Sequence, residues 1–125
     1  MTTPTLPDIL TRLAVLVPRR VRVEPSREAS YAEVKVRGEW QYVYYITANS
    51  PAWASHGLGE MWLEAALREE CAARGWLWRV FALPDEQGYG AELERGILGR
   101  TYLEYADTPA HALALALTAA LSESE

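Results

Sequence analysis

The sequence is short of several residue types, and each shortage excludes a class of protein. Its one cysteine, Cys71, permits no disulfide within the chain, so a reducing, cytoplasmic compartment is expected. The start of the chain lacks the basic segment of a signal peptide, which favours the same compartment. No apolar run approaches the roughly 18 residues that a membrane span needs, so no membrane partner is expected.

Basic charge is also scarce. Lys35 is the only lysine, and the net charge of −5 disfavours a nucleic-acid binder that holds phosphates. Half of the residues are apolar, which is too many for a disordered chain, and eight glycines without a period exclude a fibrous one. A chain of 125 residues fits one domain, residues 1–125, with 122–125 predicted as a frayed tail.

Aromatic residues are what the sequence has in excess. Five tryptophans and seven tyrosines stand against one phenylalanine. Tryptophan and tyrosine carry polar atoms on large rings, so they suit half-buried places such as sheet faces and interfaces. A small core does not readily bury this many rings, which predicts that some of them form an interaction surface.

Periodicity predicts an α+β fold in the order α-β-β-α-β-β-β-α, with a mainly antiparallel sheet of about five strands in a sandwich. Three-and-four spacing predicts three helices, Leu6–Val17, Leu58–Arg74 and Pro109–Leu121, and Thr108 is expected to cap the last. Period-two patterns predict five strands: residues 31–37, Trp40–Thr47, Trp76–Leu83, Tyr89–Arg95 and Leu98–Tyr105. Val21 and Val23 mark a further short extended piece, 19–24.

Two of these elements have unusual faces. The strand that follows a predicted turn at Gly38-Glu39 places Trp40, Tyr42 and Tyr44 on one side if its alternation is regular. The middle helix has two apolar faces. The first contains Leu58, Met61, Trp62, Ala65, Ala66, Ala72 and Ala73, and the second contains Leu63, Leu67 and Cys71. One face is expected to pack on a sheet, and the other to pack on the first helix or on a second subunit.

The sequence contains no motif with the residue spacing of a known catalytic site. The loop Ser50–Glu60 joins a strand to a helix, where ligands often bind, and Ser55 and His56 lie in it. Its Gly57-x-Gly59 lacks the third glycine and the lysine of a phosphate site, and no nucleophile motif surrounds His56. The sequence therefore predicts no catalytic residue, no metal site and no cofactor.

The C-terminal third resembles a known family. The tryptophan-bearing stretch Trp76–Trp78, the strand Tyr89–Glu92 and the Thr-Pro entry into an alanine-rich helix at Ala106–Ala112 are similar to the small phage and prophage proteins called ABA-sandwich domains. The resemblance implies an α+β sandwich and a viral or mobile-element origin. It implies no catalytic residues.

Together these patterns favour a non-enzymatic protein-interaction module, acting on itself as a homodimer or on a host protein. The candidate interaction or ligand surface consists of Trp40, Tyr42, Tyr44, Trp53, Ser55, His56 and Trp62. The alternative is a small-ligand or enzymatic domain with its pocket at the Ser50–Glu60 loop.

Overall fold

The computed structural model describes residues 4–25, 30–46, 51–96 and 99–123, and over these residues the fold is α+β, as the sequence predicts. The helices are α1 (Leu6–Leu16), α2 (Leu58–Ala73) and α3 (Pro109–Glu123). The strands are β1 (Val21–Pro25), β2 (Ser30–Val36), β3 (Glu39–Tyr45), β4 (Ala52–Trp53), β5 (Leu77–Ala82), β6 (Tyr89–Glu94) and β7 (Thr101–Ala106).

The strands form two antiparallel sheets instead of one sheet of about five. The first has the order β1-β2-β3-β4 and the second the order β5-β6-β7. The chain correspondingly divides into two compact units, Met1–Ala66 and Leu67–Glu125, with the boundary inside α2. The predicted strand residues Thr47 and Leu98 lie outside the described part of the chain.

The first unit begins with a capped amphipathic helix. The Thr5 hydroxyl accepts a hydrogen bond from the Asp8 amide at 3.4 Å, and Pro7 occupies the second helical position, where no amide donor is needed. The buried face of α1 contributes Leu6, Ile9, Leu10 and Leu13 to the core. It packs beside β1, whose Val21 is fully buried.

The β2–β3 hairpin turns one residue earlier than predicted. Val36 pairs with Glu39, so the turn residues are Arg37 and Gly38, and both have positive φ angles of 52° and 83°. Two left-handed residues define the tight hairpin turn that matches the twist of its strands. The prediction of the hairpin is confirmed, but its turn is not Gly38-Glu39.

A β-bulge in β3 changes which aromatic residues share a face. Ala32 pairs with Tyr44 and the next residue, Glu33, pairs with Tyr42, so Val43 is an extra residue on β3. The bulge places Tyr44 on the same side as the buried Ala32, whereas Tyr42 is 55% exposed on the opposite side. The expectation that Trp40, Tyr42 and Tyr44 share one face is therefore wrong.

Helix α2 buries the second of its two predicted apolar faces. Leu63, Leu67 and Cys71 of that face are buried together with Ala66 from the edge of the first, whereas Leu58 and Met61 of the first face are exposed. Gly59 explains this choice, because a β-carbon there would lie 2.1 Å from the Val43 carbonyl oxygen. The helix can approach β3 this closely only along the glycine side, and Leu63 lies one turn further on that side.

The second unit places α3 on one side of its sheet. Buried Ala91 and Leu93 of β6 lie on that side, and α3 buries nine residues from Ala110 to Leu121. The predicted cap is confirmed, since the Thr108 hydroxyl accepts a hydrogen bond from the His111 amide at 3.2 Å. The helix runs to Glu123, which pairs with Arg100, and so includes two residues of the predicted frayed tail.

Candidate functional site

The side of the first sheet that faces away from the buried valines is the candidate site, and we call it the outer face. Alternation and register along three strands bring its side chains together. They are Arg22, Glu24, Tyr31, Glu33, Lys35, Trp40 and Tyr42. The opposite side carries Val21, Ala32 and Val34, all fully buried.

Arg22 organises the centre of the outer face. Its Nε donates a hydrogen bond to Oε1 of Glu33 at 2.9 Å and lies 3.4 Å from Oε1 of Glu24. Its Cζ lies 4.0 Å from the centre of the Trp40 ring, which is a cation–π contact. A single guanidinium therefore fixes an aromatic ring and two carboxylates from three strands.

The ion pair on this face is asymmetric in its exposure. The Glu33 side chain is 8% exposed, whereas that of Arg22 is 41% exposed. The hydrogen bond to Glu33 is the main cause that raises the pKa of Arg22 above its ordinary value. Arg22 therefore stays charged, and the nearly buried carboxylate of Glu33 keeps its cationic partner.

Tyrosines extend the outer face beyond this centre. The rings of Tyr31 and Tyr42 meet edge to face, with centres 5.0 Å apart. Partial desolvation, with help from the Tyr42 hydroxyl, raises the pKa of Tyr31, so its phenol is neutral at physiological pH. Lys35 lies more loosely over Trp40, at 5.9 Å from the ring centre.

The charges of the outer face are balanced. Its two cations, Arg22 and Lys35, match its two carboxylates, Glu24 and Glu33, and the Glu33 carboxylate already accepts a hydrogen bond from Arg22. Tryptophan, tyrosine and arginine are the residue types that dominate protein interfaces.

The structure separates the predicted site residues into several places instead of gathering them. Trp40 and Tyr42 lie on the outer face, and Tyr44 packs against Trp53 on the other side, with ring centres 5.2 Å apart. Trp62 is half-buried on α2. No single aromatic cluster forms among these described residues, so the bulge has divided the predicted surface.

The loop alternative stays a prediction. Ala54–Gly57 forms a short helical turn that leads into α2, and Ser55 and His56 belong to it. Ser50 and the side chains of Ser55 and His56 lie outside the described part of the structure.

Sequence reasoning missed Arg22, Tyr31 and Glu33 as site residues. A signal was available for Arg22, because Val21 and Val23 alternate with it and direct it to the opposite side of β1. The close approach to Trp40 gives no local signal, because it depends on a pairing across three strands.

A second polar group surrounds the end of α2 in the other unit. Its buried acid is Glu70, whose carboxylate accepts a hydrogen bond from Arg74 Nε at 2.6 Å. Trp76, predicted to begin a strand, precedes β5, and the guanidinium carbons of Arg74 and Arg95 each lie 5.2 Å from its ring centre.

Cys71 belongs to the same region. It is fully buried, and this burial raises the pKa of its thiol to about 12, with the neighbouring Glu70 carboxylate adding to the effect. A thiol that stays protonated is a poor nucleophile, because the thiolate is the reactive form.

Comparisons with known proteins found no match to this chain among protein families, curated proteins or solved structures. The resemblance to ABA-sandwich domains and the viral origin that it implies stay predictions. In the described residues, no three or more His, Cys, Asp or Glu side chains are grouped to hold a metal ion. No described helix is long and apolar enough to cross a membrane.

Proposed function

We propose that the protein is a non-enzymatic interaction module that pairs with a second copy of itself through the outer face. The observation that carries the proposal is the Arg22 guanidinium, held 4.0 Å from the Trp40 ring and 2.9 Å from the Glu33 carboxylate. These contacts fix long side chains before a partner arrives, which lowers the entropy that binding must overcome.

Charge favours a second copy as the partner. Residues 1–66 contain seven basic and seven acidic residues, so the whole net charge of −5 comes from residues 67–125. On the outer face itself, Arg22 and Lys35 balance Glu24 and Glu33. In a two-fold pair each face meets its own copy, and a balanced face can do so without net repulsion.

Exposure identifies the residue to test. Tyr42 is 55% exposed and Tyr45, which pairs with Tyr31, is 43% exposed. A tyrosine of this exposure contributes little to the core, so replacing Tyr42 should weaken association without unfolding the chain. Tyr105 of β7 is 50% exposed and provides a matched control in the other unit.

Sedimentation equilibrium tests the proposal. Between about 1 μM and about 500 μM, the mass of the wild-type protein should rise from 14.0 kDa towards twice that value. Tyr42→Ser should weaken association at least about tenfold, whereas Tyr105→Ser should leave it unchanged. A wild-type mass that stays at 14.0 kDa throughout, or equal effects of the two substitutions, would overturn the proposal.

A further inference from the structure

The second sheet has an exposed side of its own, which we call the second face. Cross-strand pairing places Leu77, Arg79, Phe81, Glu92, Leu103 and Tyr105 on it. Leu77 is 65% exposed, Leu103 44% and Tyr105 50%, whereas Ala91 and Leu93 on the opposite side are fully buried. Regular alternation therefore leads three large apolar side chains into solvent.

Gly90 keeps one row of this face flat. It pairs with Phe81 on one side and with Tyr105 on the other, in the middle strand of the sheet. A β-carbon on Gly90 would lie 2.5 Å from Cζ of Phe81, so the phenylalanine ring lies directly over the glycine. The row from Phe81 to Tyr105 is thus aromatic, with the Phe81 ring over Gly90 and the Arg79 guanidinium carbon 5.0 Å from the centre of that ring.

Carboxylates lie at both ends of this surface. Arg79 is already paired with Glu92 at 3.2 Å, and Glu94 forms no ion pair with another described residue. Beyond the Phe81 end, the β5–β6 turn carries Asp85 and Glu86, neither of which is paired within the described part of the chain. Residues 67–125 as a whole contain ten acidic and five basic residues.

A cavity of about 140 Å³ opens at the other end of the second face. It is lined by Leu77, Trp78, Arg79, Glu92 and Glu94. Its lining combines apolar side chains with two carboxylates, of which only that of Glu92 has a cationic partner among the described residues. The alkyl stem of a lysine or arginine would lie against Leu77 while its charged end meets Glu94.

These observations select the kind of partner. A second copy bound through the same face would bring two acidic surfaces together, and nucleic acid or an anionic membrane would meet the same repulsion. We infer that the second face binds an extended segment of another protein in which apolar residues alternate with lysine or arginine. In an extended segment successive side chains point to opposite sides, so its apolar side chains would lie on the second face while its long basic side chains would reach round to the carboxylates at the ends of that face.

A blocked eight-residue peptide of alternating lysine and leucine is the probe. In calorimetric titrations at about 150 mM salt, it should bind the full chain one to one with a micromolar Kd. Peptides in which glutamate replaces lysine, or serine replaces leucine, should bind at least about tenfold more weakly. Leu103→Lys should lower the affinity for the lysine–leucine peptide at least about tenfold. Glu94→Gln should lower both this affinity and its dependence on salt concentration.

Controls separate this inference from the proposed self-association. Tyr42→Ser, on the first unit, should bind the lysine–leucine peptide as the wild type does, and Tyr105→Lys should repeat the loss seen with Leu103→Lys. Far-ultraviolet circular dichroism checks that each variant is folded. Equal binding of the lysine–serine peptide, equal binding by Leu103→Lys, or no binding up to about 1 mM would overturn the inference.

Discussion

Raising the pH from 8 to about 10.5 should lower the free energy of unfolding of the wild-type protein more than it lowers that of a Cys71→Ala variant. Burial raises the pKa of the folded thiol to about 12 from an ordinary value of 9.0. Between these two values the unfolded chain loses its thiol proton while the folded chain retains it. Because the folded pKa is the higher one, the thiol stabilises the fold fully below pH 9, and this contribution is lost as pH rises towards 12.

The magnitude follows from the two pKa values. Each pH unit between them costs about 1.4 kcal/mol, so the thiol should cost the wild type about 2 kcal/mol by pH 10.5. Urea unfolding of both proteins at each pH measures this, since other alkaline titrations contribute equally in the two proteins and the space left by the substitution contributes equally at both pH values. Parallel losses in the two proteins would refute the reasoning, as would rapid modification of the folded thiol at pH 8.

Two further substitutions test how the helices are placed. Gly59→Ala should destabilise the fold by about 2 kcal/mol or more in urea unfolding, because its β-carbon would overlap the Val43 carbonyl. Gly57→Ala is the control. Its β-carbon would enter open space at a φ of 100°, so it should destabilise the fold by only about 1 kcal/mol. Equal costs would contradict the close approach of α2 to β3. Thr108→Ala should lower the free energy of unfolding by about 1 kcal/mol, because the hydrogen bond from the His111 amide is lost. Thr108→Ser keeps a hydroxyl at this position and should retain most of that stability. A Ser variant as unstable as the Ala variant would argue against capping.

The two proposed surfaces differ in the chemistry that each can recognise. The outer face is balanced in charge and built around a fixed arginine, whereas the second face is apolar with carboxylates at both ends. Salt should therefore affect them differently. Self-association through a balanced face should change little with ionic strength, while binding of a basic segment should weaken steeply.

Local signals in the sequence predicted most elements of secondary structure. Thr108 before Pro109 favours the start of a helix, and Gly75, with a φ of 73°, ends α2 because a residue without a side chain adopts that conformation at low cost. The alternation of Ala32, Val34 and Val36 likewise predicted the buried side of β2, which the structure confirms. Each of these signals acts within a few residues of chain.

The candidate site was only partly predictable. The excess of aromatic residues indicated an exposed surface, and Trp40 and Tyr42 do lie on the outer face. Their neighbour Arg22 comes from another strand, and its contact with Trp40 depends on which strands pair and in which register. No spacing along the chain encodes that contact.

The sequence by itself determined the α+β class and the approximate positions of most helices and strands, because capping, turn geometry and periodicity are local. Only the tertiary structure decided which faces were used. The bulge at Val43 moved Tyr44 away from Tyr42, and the close approach of Gly59 to β3 selected which apolar side of α2 is buried. Both outcomes depend on contacts between separate elements, where one extra residue or one missing β-carbon changes which side chains meet.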